Sequence, residues 1–187
     1  MIKLTDQLKW AIVTMPGEEK DKLLLRLISK DELLVRKLHH QLLEDDNNTQ
    51  EQREGILTQM KLVLGSAKYQ FTPGELMMCM RNFNAGISRH VKITKDKMGE
   101  IELSISLVNV AFEKHKEMLD KNKHRAGTFA EYVAKKAVFV LEKLAKIHED
   151  LQSDYEKDVN LMLSHIYDYS PCATHIKELK IPKIKQW

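Results

Sequence analysis

Two hydrophobic stripes that face each other across a polar bend constrain this chain more than any other feature. Met98, Ile101, Ile105, Val108, Phe112, His115 and Leu119 recur at steps of three and four residues, the spacing of one face of an α-helix. After the polar stretch 121–127, a second stripe runs through Phe129, Val133, Ala137, Val140, Leu144, Ile147 and Leu151. Folded back antiparallel, Leu119 meets Phe129, Phe112 meets Ala137, Ile105 meets Leu144, Ile101 meets Ile147 and Met98 meets Leu151. A register that stays this constant is what a helical hairpin requires, and it places the bend near Asn122.

The segment 101–107, IELSISL, also alternates apolar and polar, and with 91–94 upstream it fits a β-hairpin pattern. Helix is the better reading. The stripe continues unbroken to Leu119, and Glu102, Ser106, Asn109, Glu113 and Lys116 form a polar stripe at the same spacing. Seven Gly and four Pro among 187 residues, with 30% charged side chains, suit long helices elsewhere too.

A first helix over 5–15 should stop at Met15-Pro16-Gly17, with Trp10 off its apolar stripe. A second opens at Glu18 and Glu19 and runs to Ile28. Ser29 with Glu32 reads as a capping box for a third helix over 30–44, with Leu34, Leu38 and Leu42 inward. The polar run 45–50, DDNNTQ, reads as a loop, with Thr49 and Gln52 capping a fourth helix that faces inward through Ile56, Met60, Val63 and Leu64. Thr72-Pro73-Gly74-Glu75 starts a fifth, burying Leu76, Met80, Phe83 and Ile87, and Gly86 inside it suggests close helix packing. Thr128 with Glu131 and Ser153 with Glu156 read as further helix starts, and Ser170-Pro171 as a stop.

These elements make an all-α protein of about eight helices around a long central antiparallel hairpin. The arrangement is either a helical bundle or an irregular α-α solenoid that resembles the HEAT type, a resemblance of architecture that implies no function. The expected organisation is an amino-terminal group of four helices over 1–66, a hairpin group over 67–170 and a basic, irregular tail over 171–187, together one continuous domain.

Chemistry is sparse in the sequence. Eight histidines include no Glu-x-x-His, no His-Glu-x-x-His and no His-Asp pair, so no metal site and no cofactor is expected. Nucleophile elbows and phosphate-binding glycine loops are missing as well, which argues against an enzyme. Cys79 and Cys172 are too far apart for a framework and point to a reducing, cytoplasmic setting. No apolar run approaches a membrane span, so no membrane partner is expected.

Three constellations remain. On the fifth helix Arg81, Asn84, Ser88 and Lys92 share a polar face with Arg89 and His90 near its end, and Arg89 should reach Glu100 or Glu102 across the turn at Lys95. His115 stands in the core stripe, opposite residues near 133, within reach of Tyr132 or Lys136. Lys114, Lys116, Lys121, Lys123 and Arg125 make a basic patch at the hairpin end. The expected function is protein-protein interaction, with another protein or a second copy. The alternatives are contact with a nucleic-acid phosphate backbone through the basic patch and tail, and a helical enzyme acting on a phosphorylated small molecule.

Overall fold

The computed structural model describes residues 3–66 and 71–185, with Asp46 described by its backbone alone. Every regular element among them is helical: α1 (Asp6–Thr14), α2 (Gly17–Ile28), α3 (Glu32–Leu43), α4 (Asp46–Leu64), α5 (Pro73–Thr94), α6 (Lys97–Lys121), α7 (Gly127–Leu144), α8 (Glu149–Gln152), α9 (Glu156–Asp168) and α10 (Ala173–Glu178). The fold is all-α, and 91–107 is helix on both sides of a two-residue link. Single 3-10 turns stand at Lys123–Arg125, Ser153–Tyr155 and Ser170–Cys172.

The chain divides into two compact units, Met1–Asp45 and Asp46–Trp187. Helix α4, expected with the amino-terminal group, belongs to the second unit. Its inward side chains Met60 and Leu64 are fully buried, and it packs on α5 and α6. The expected boundary at 65–72 falls partly on 67–70, outside the described residues.

In the second unit α6 is the central element, contacted by α4, α5, α7 and α9. From Leu103 to Phe112 it is buried nearly all round, only Ser106 being half-buried. That explains the strand-like alternation of IELSISL. Ser104 and Asn109 are polar but enclosed, and Asn109, expected on a solvent stripe, donates its side-chain N–H to the Asp158 carbonyl of α9 at 3.0 Å.

α6 and α7 form the antiparallel hairpin. Ile101 and Ile147 line the same cleft, and Tyr169 contacts both the Leu119 carbonyl and the Phe129 ring near the bend. Phe112, expected opposite Ala137, sets its ring against Phe129, Tyr169 and His165, because the segment after α7 returns to cover this side of α6. A new helix start, expected at Ser153 with Glu156, does interrupt the second arm, but α7 already stops at Leu144 and Leu151 is left exposed.

Local signals read well at some helix ends and wrongly at others. The Thr72 and Glu75 capping box forms reciprocally around Pro73. Ser29 instead closes α2, and Asp31 caps α3 by accepting from Leu34 N–H. The run 45–50 is helical from Asp46, since the Asp and Asn residues that favour turns also suit a helix's first turn. Thr128 does not cap α7: the 3-10 turn delivers the chain to Ala126, whose carbonyl accepts from Ala130 N–H, and Glu131 pairs with Lys135 on the outer face. The tail is not irregular. α10 is docked through buried Cys172, Ile176 and Ile181, and the Tyr167 hydroxyl donates to the Ile181 carbonyl at 2.6 Å. Gln186 and Trp187 lie outside the described residues.

In the first unit α2 and α3 pack together across the tight link between Ile28 and Glu32. None of α1, α2 or α3 has a buried residue.

Candidate functional site

The link between α5 and α6 gathers most of the charged chemistry of the second unit. Lys95 takes a left-handed conformation (φ 63°) and ends α5; Asp96 then caps α6 by accepting from Gly99 N–H at 2.8 Å. Gly99 is glycine because the Asp96 carboxylate fills the space where a Cβ would stand, with Arg53 Nε only 2.7 Å from it. Arg53, reaching over from α4, clamps Asp96 with two hydrogen bonds of 3.0 and 2.9 Å and holds Glu102 at 2.9 Å. His90, buried, presents Nε2 to Asp96 at 3.3 Å, while its Nδ1 has no hydrogen-bond partner.

Burial alone would raise the Asp96 pKa. The hydrogen bonds from His90 and Gly99 and the Arg53 charge outweigh it and bring the pKa down to about 2. The group is ionised more readily folded than unfolded, so its contribution is complete above about pH 4 and is lost as pH falls toward 2. This cluster is a latch between α4 and the α5-α6 turn.

A second buried network lies beside it. Glu100 accepts from Lys143 of α7 at 2.6 Å, and Lys136 donates to Asn84 Oδ1. Both lysine ammonium groups stand over the Phe139 ring, at 4.3 Å for Lys136 and 5.1 Å for Lys143. Lys136 is only 7% exposed, and burial, with Lys143 nearby, pulls its pKa down to about 8 against the opposing pull of Glu100.

The polar face read on the fifth helix is therefore dispersed. Arg81 lies over the Tyr132 ring at 5.8 Å, Asn84 serves Lys136 and His90 serves Asp96. Ser88 is half-buried and Arg89 exposed. The pairing expected for Arg89 is replaced, since Lys143 takes Glu100 and Arg53 takes Glu102. Arg53, Asp96 and Lys143 were not singled out from sequence; the readable signal was Asp96 three residues before Gly99, a helix start.

His115 does not face Tyr132. It interrupts α6 (φ −122°, ψ 18°), turns toward α4, hydrogen-bonds the Leu64 backbone and meets Phe71 edge-on at 5.0 Å. Burial lowers its pKa, and the Leu64 bond opposes this. In the basic patch Lys123 is paired with Asp120 at 2.9 Å and Lys121 with Glu117 at 3.9 Å, each within one helical turn. Lys114, Lys116 and Arg125 are exposed. Among the described residues no three His, Cys, Asp or Glu side chains converge on a metal-sized site, and no helix is long and apolar enough to cross a membrane.

The feature that sequence reading missed is the surface of the first unit. Trp10 and Val13 of α1 are 70% and 71% exposed, and Leu42 and Leu43 of α3 are 75% and 74% exposed. Leu24, Leu25 and Leu27 add an exposed set on α2, whereas Leu23 and Ile28 are half-buried, so apolar side chains are spread around that helix. Leu42, expected inward, is one of the most exposed. The 3.6-residue stripe showed which positions share a face, and could not show that too few helices are present to cover it. Comparison with known protein families, with curated proteins and with solved structures finds no match.

Proposed function

We propose that the chain is a protein-interaction module whose amino-terminal unit associates with a second copy of itself. The observation carrying this reading is that α1, α2 and α3 contain no buried residue while presenting large apolar side chains to solvent. A unit of about 45 residues generally needs a disulfide, a metal or another chain to be stable. It has no cysteine, both thiols lying at Cys79 and Cys172, and no metal-sized cluster occurs among the described residues.

Charge narrows the partner. Residues 1–45 carry eight basic and eight acidic side chains. A helix that lies on an anionic lipid surface has a polar face rich in Lys and Arg, and a nucleic-acid surface is strongly basic; this unit is neither. A balanced, apolar surface is compatible with a two-fold contact in which the same patch meets itself. One side of a standard interface covers about 800 Å². Trp10, Val13, Leu42 and Leu43, each more than two-thirds exposed, are the apolar side chains such a contact would cover first.

Sedimentation velocity of the full chain from about 1 to about 100 µM tests this. The expected result is a concentration-dependent dimer, abolished by Leu42→Ser with Leu43→Ser while the thermal transition of residues 46–187 stays in place. A monomer throughout the range, or a dimer untouched by the double substitution, overturns the proposal.

A further inference from the structure

A cleft of about 350 Å³ opens where the α5-α6 link meets the end of α7. Lys92, Lys95, Lys97, Lys143 and Lys146 line it, with Glu100 as the one carboxylate. Its apolar lining is Ile101, which is 1% exposed, together with half-buried Val91 and Ile147.

Helix ends explain only part of this charge. Lys92 and Lys143 stand in the last turns of α5 and α7, where a cation complements the helix dipole. Two such termini present about half a negative charge each. Glu100 pairs with the same Lys143 and fixes it against the wall. Several positive charges are left without an equivalent. Lys97 sits at the first turn of α6, the end that favours an acidic residue, so its charge opposes the dipole there. Lys95 holds a left-handed conformation at a helix end where glycine is the usual residue.

We infer that this cleft binds a small organic anion carrying two or more phosphate groups, with the phosphates at the lysine rim and an apolar or aromatic portion against Val91 and Ile147. The volume lies at the lower end of small-molecule sites, about 300–1,000 Å³. The apolar lining favours an organic phosphate over the inorganic ion, and a cleft of this size bounded by three helices favours a compact ligand over an extended strand. The inference is independent of self-association through the first unit.

Isothermal titration of the full chain with adenosine diphosphate, inorganic pyrophosphate and adenosine at low and moderate salt tests it. Adenosine diphosphate should bind more tightly than pyrophosphate, adenosine should give no heat, and affinity should fall as salt rises. Lys92→Gln and Lys146→Gln, both at exposed positions, should each weaken binding about tenfold, a change typical of losing one charge-assisted contact. Lys114→Gln with Lys116→Gln on the hairpin end should leave it unchanged. Absence of binding by both phosphate compounds overturns the inference. So do equal affinity after the cleft substitutions, equal binding of adenosine, or a single-stranded oligonucleotide that binds where adenosine diphosphate does not.

Discussion

Lys136 is the residue whose placement is least expected for its type. It is buried on α7, with the Asn84 amide oxygen and the Phe139 ring face as its compensation. Its pKa of about 8 lies below the ordinary 10.5, so folding favours the neutral amine. The unfolded chain then binds more protons than the folded one between about pH 8 and 10.5, and Lys136 makes stability rise across that window; below pH 8 both states are protonated and the penalty is constant. Lys136→Met should therefore raise stability by about 3 kcal/mol at pH 7, the order of magnitude that a fall from 10.5 to about 8 corresponds to. The gain should shrink by pH 10. Urea unfolding at both pH values checks this, and a substitution that destabilises equally at both would show that packing around Asn84 and Phe139 matters more than the charge. Sequence placed Lys136 near the hairpin seam but could not give its burial, which depends on α5 closing over α7.

At the scale of elements, two glycines inside helices make opposite predictions. Gly86 in mid-α5 has open space where a Cβ would stand, so the close packing expected there is not present. Gly86→Ala should stabilise by about 1 kcal/mol through helix propensity alone. Gly99→Ala in α6 gains the same propensity but drives a methyl group into the Asp96 and Arg53 ion pair. A net loss of about 2 kcal/mol is expected, in the range for disturbing a partly buried ion pair. Thermal melts of the two variants should move in opposite directions, and a shared direction would mean that the Arg53 clamp is dispensable.

The same contrast shows what was legible. Periodicity identified α4, α5, α6 and α7 because each follows its own 3.6-residue rhythm, and the Thr72 box worked because Pro73 fixes the first turn. The misread starts at Ser29, Thr49 and Thr128 share one cause: Ser and Thr satisfy several backbone geometries equally, and neighbours decide which forms. The candidate site suffered likewise. Arg53 lies 43 residues from Asp96, and no local pattern encodes a pairing that exists only after α4 packs on α6.

For the whole molecule, acid should act in two stages. His115 and His165 both have pKa values lowered by burial from 6.5, so the folded state resists their protonation and stability begins to fall as pH drops below about 6.5. The Asp96 latch follows below pH 4, where its carboxylate, held at about pKa 2 when folded, loses its advantage. Chemical unfolding followed from pH 8 to pH 3 should show a decline starting near pH 6.5. His165→Gln should flatten the upper stage, and a stability plateau from pH 7 down to pH 4 would contradict the assignment.

One element links this molecule to its own synthesis. Since α9 supplies the carbonyl that satisfies Asn109 and the wall that encloses Phe112, a nascent chain emerging through α7 carries a greasy rod with one flank still wet. Nothing made before residue 156 can dry that flank. The core around the middle helix therefore closes late, waiting on a segment some fifty residues downstream.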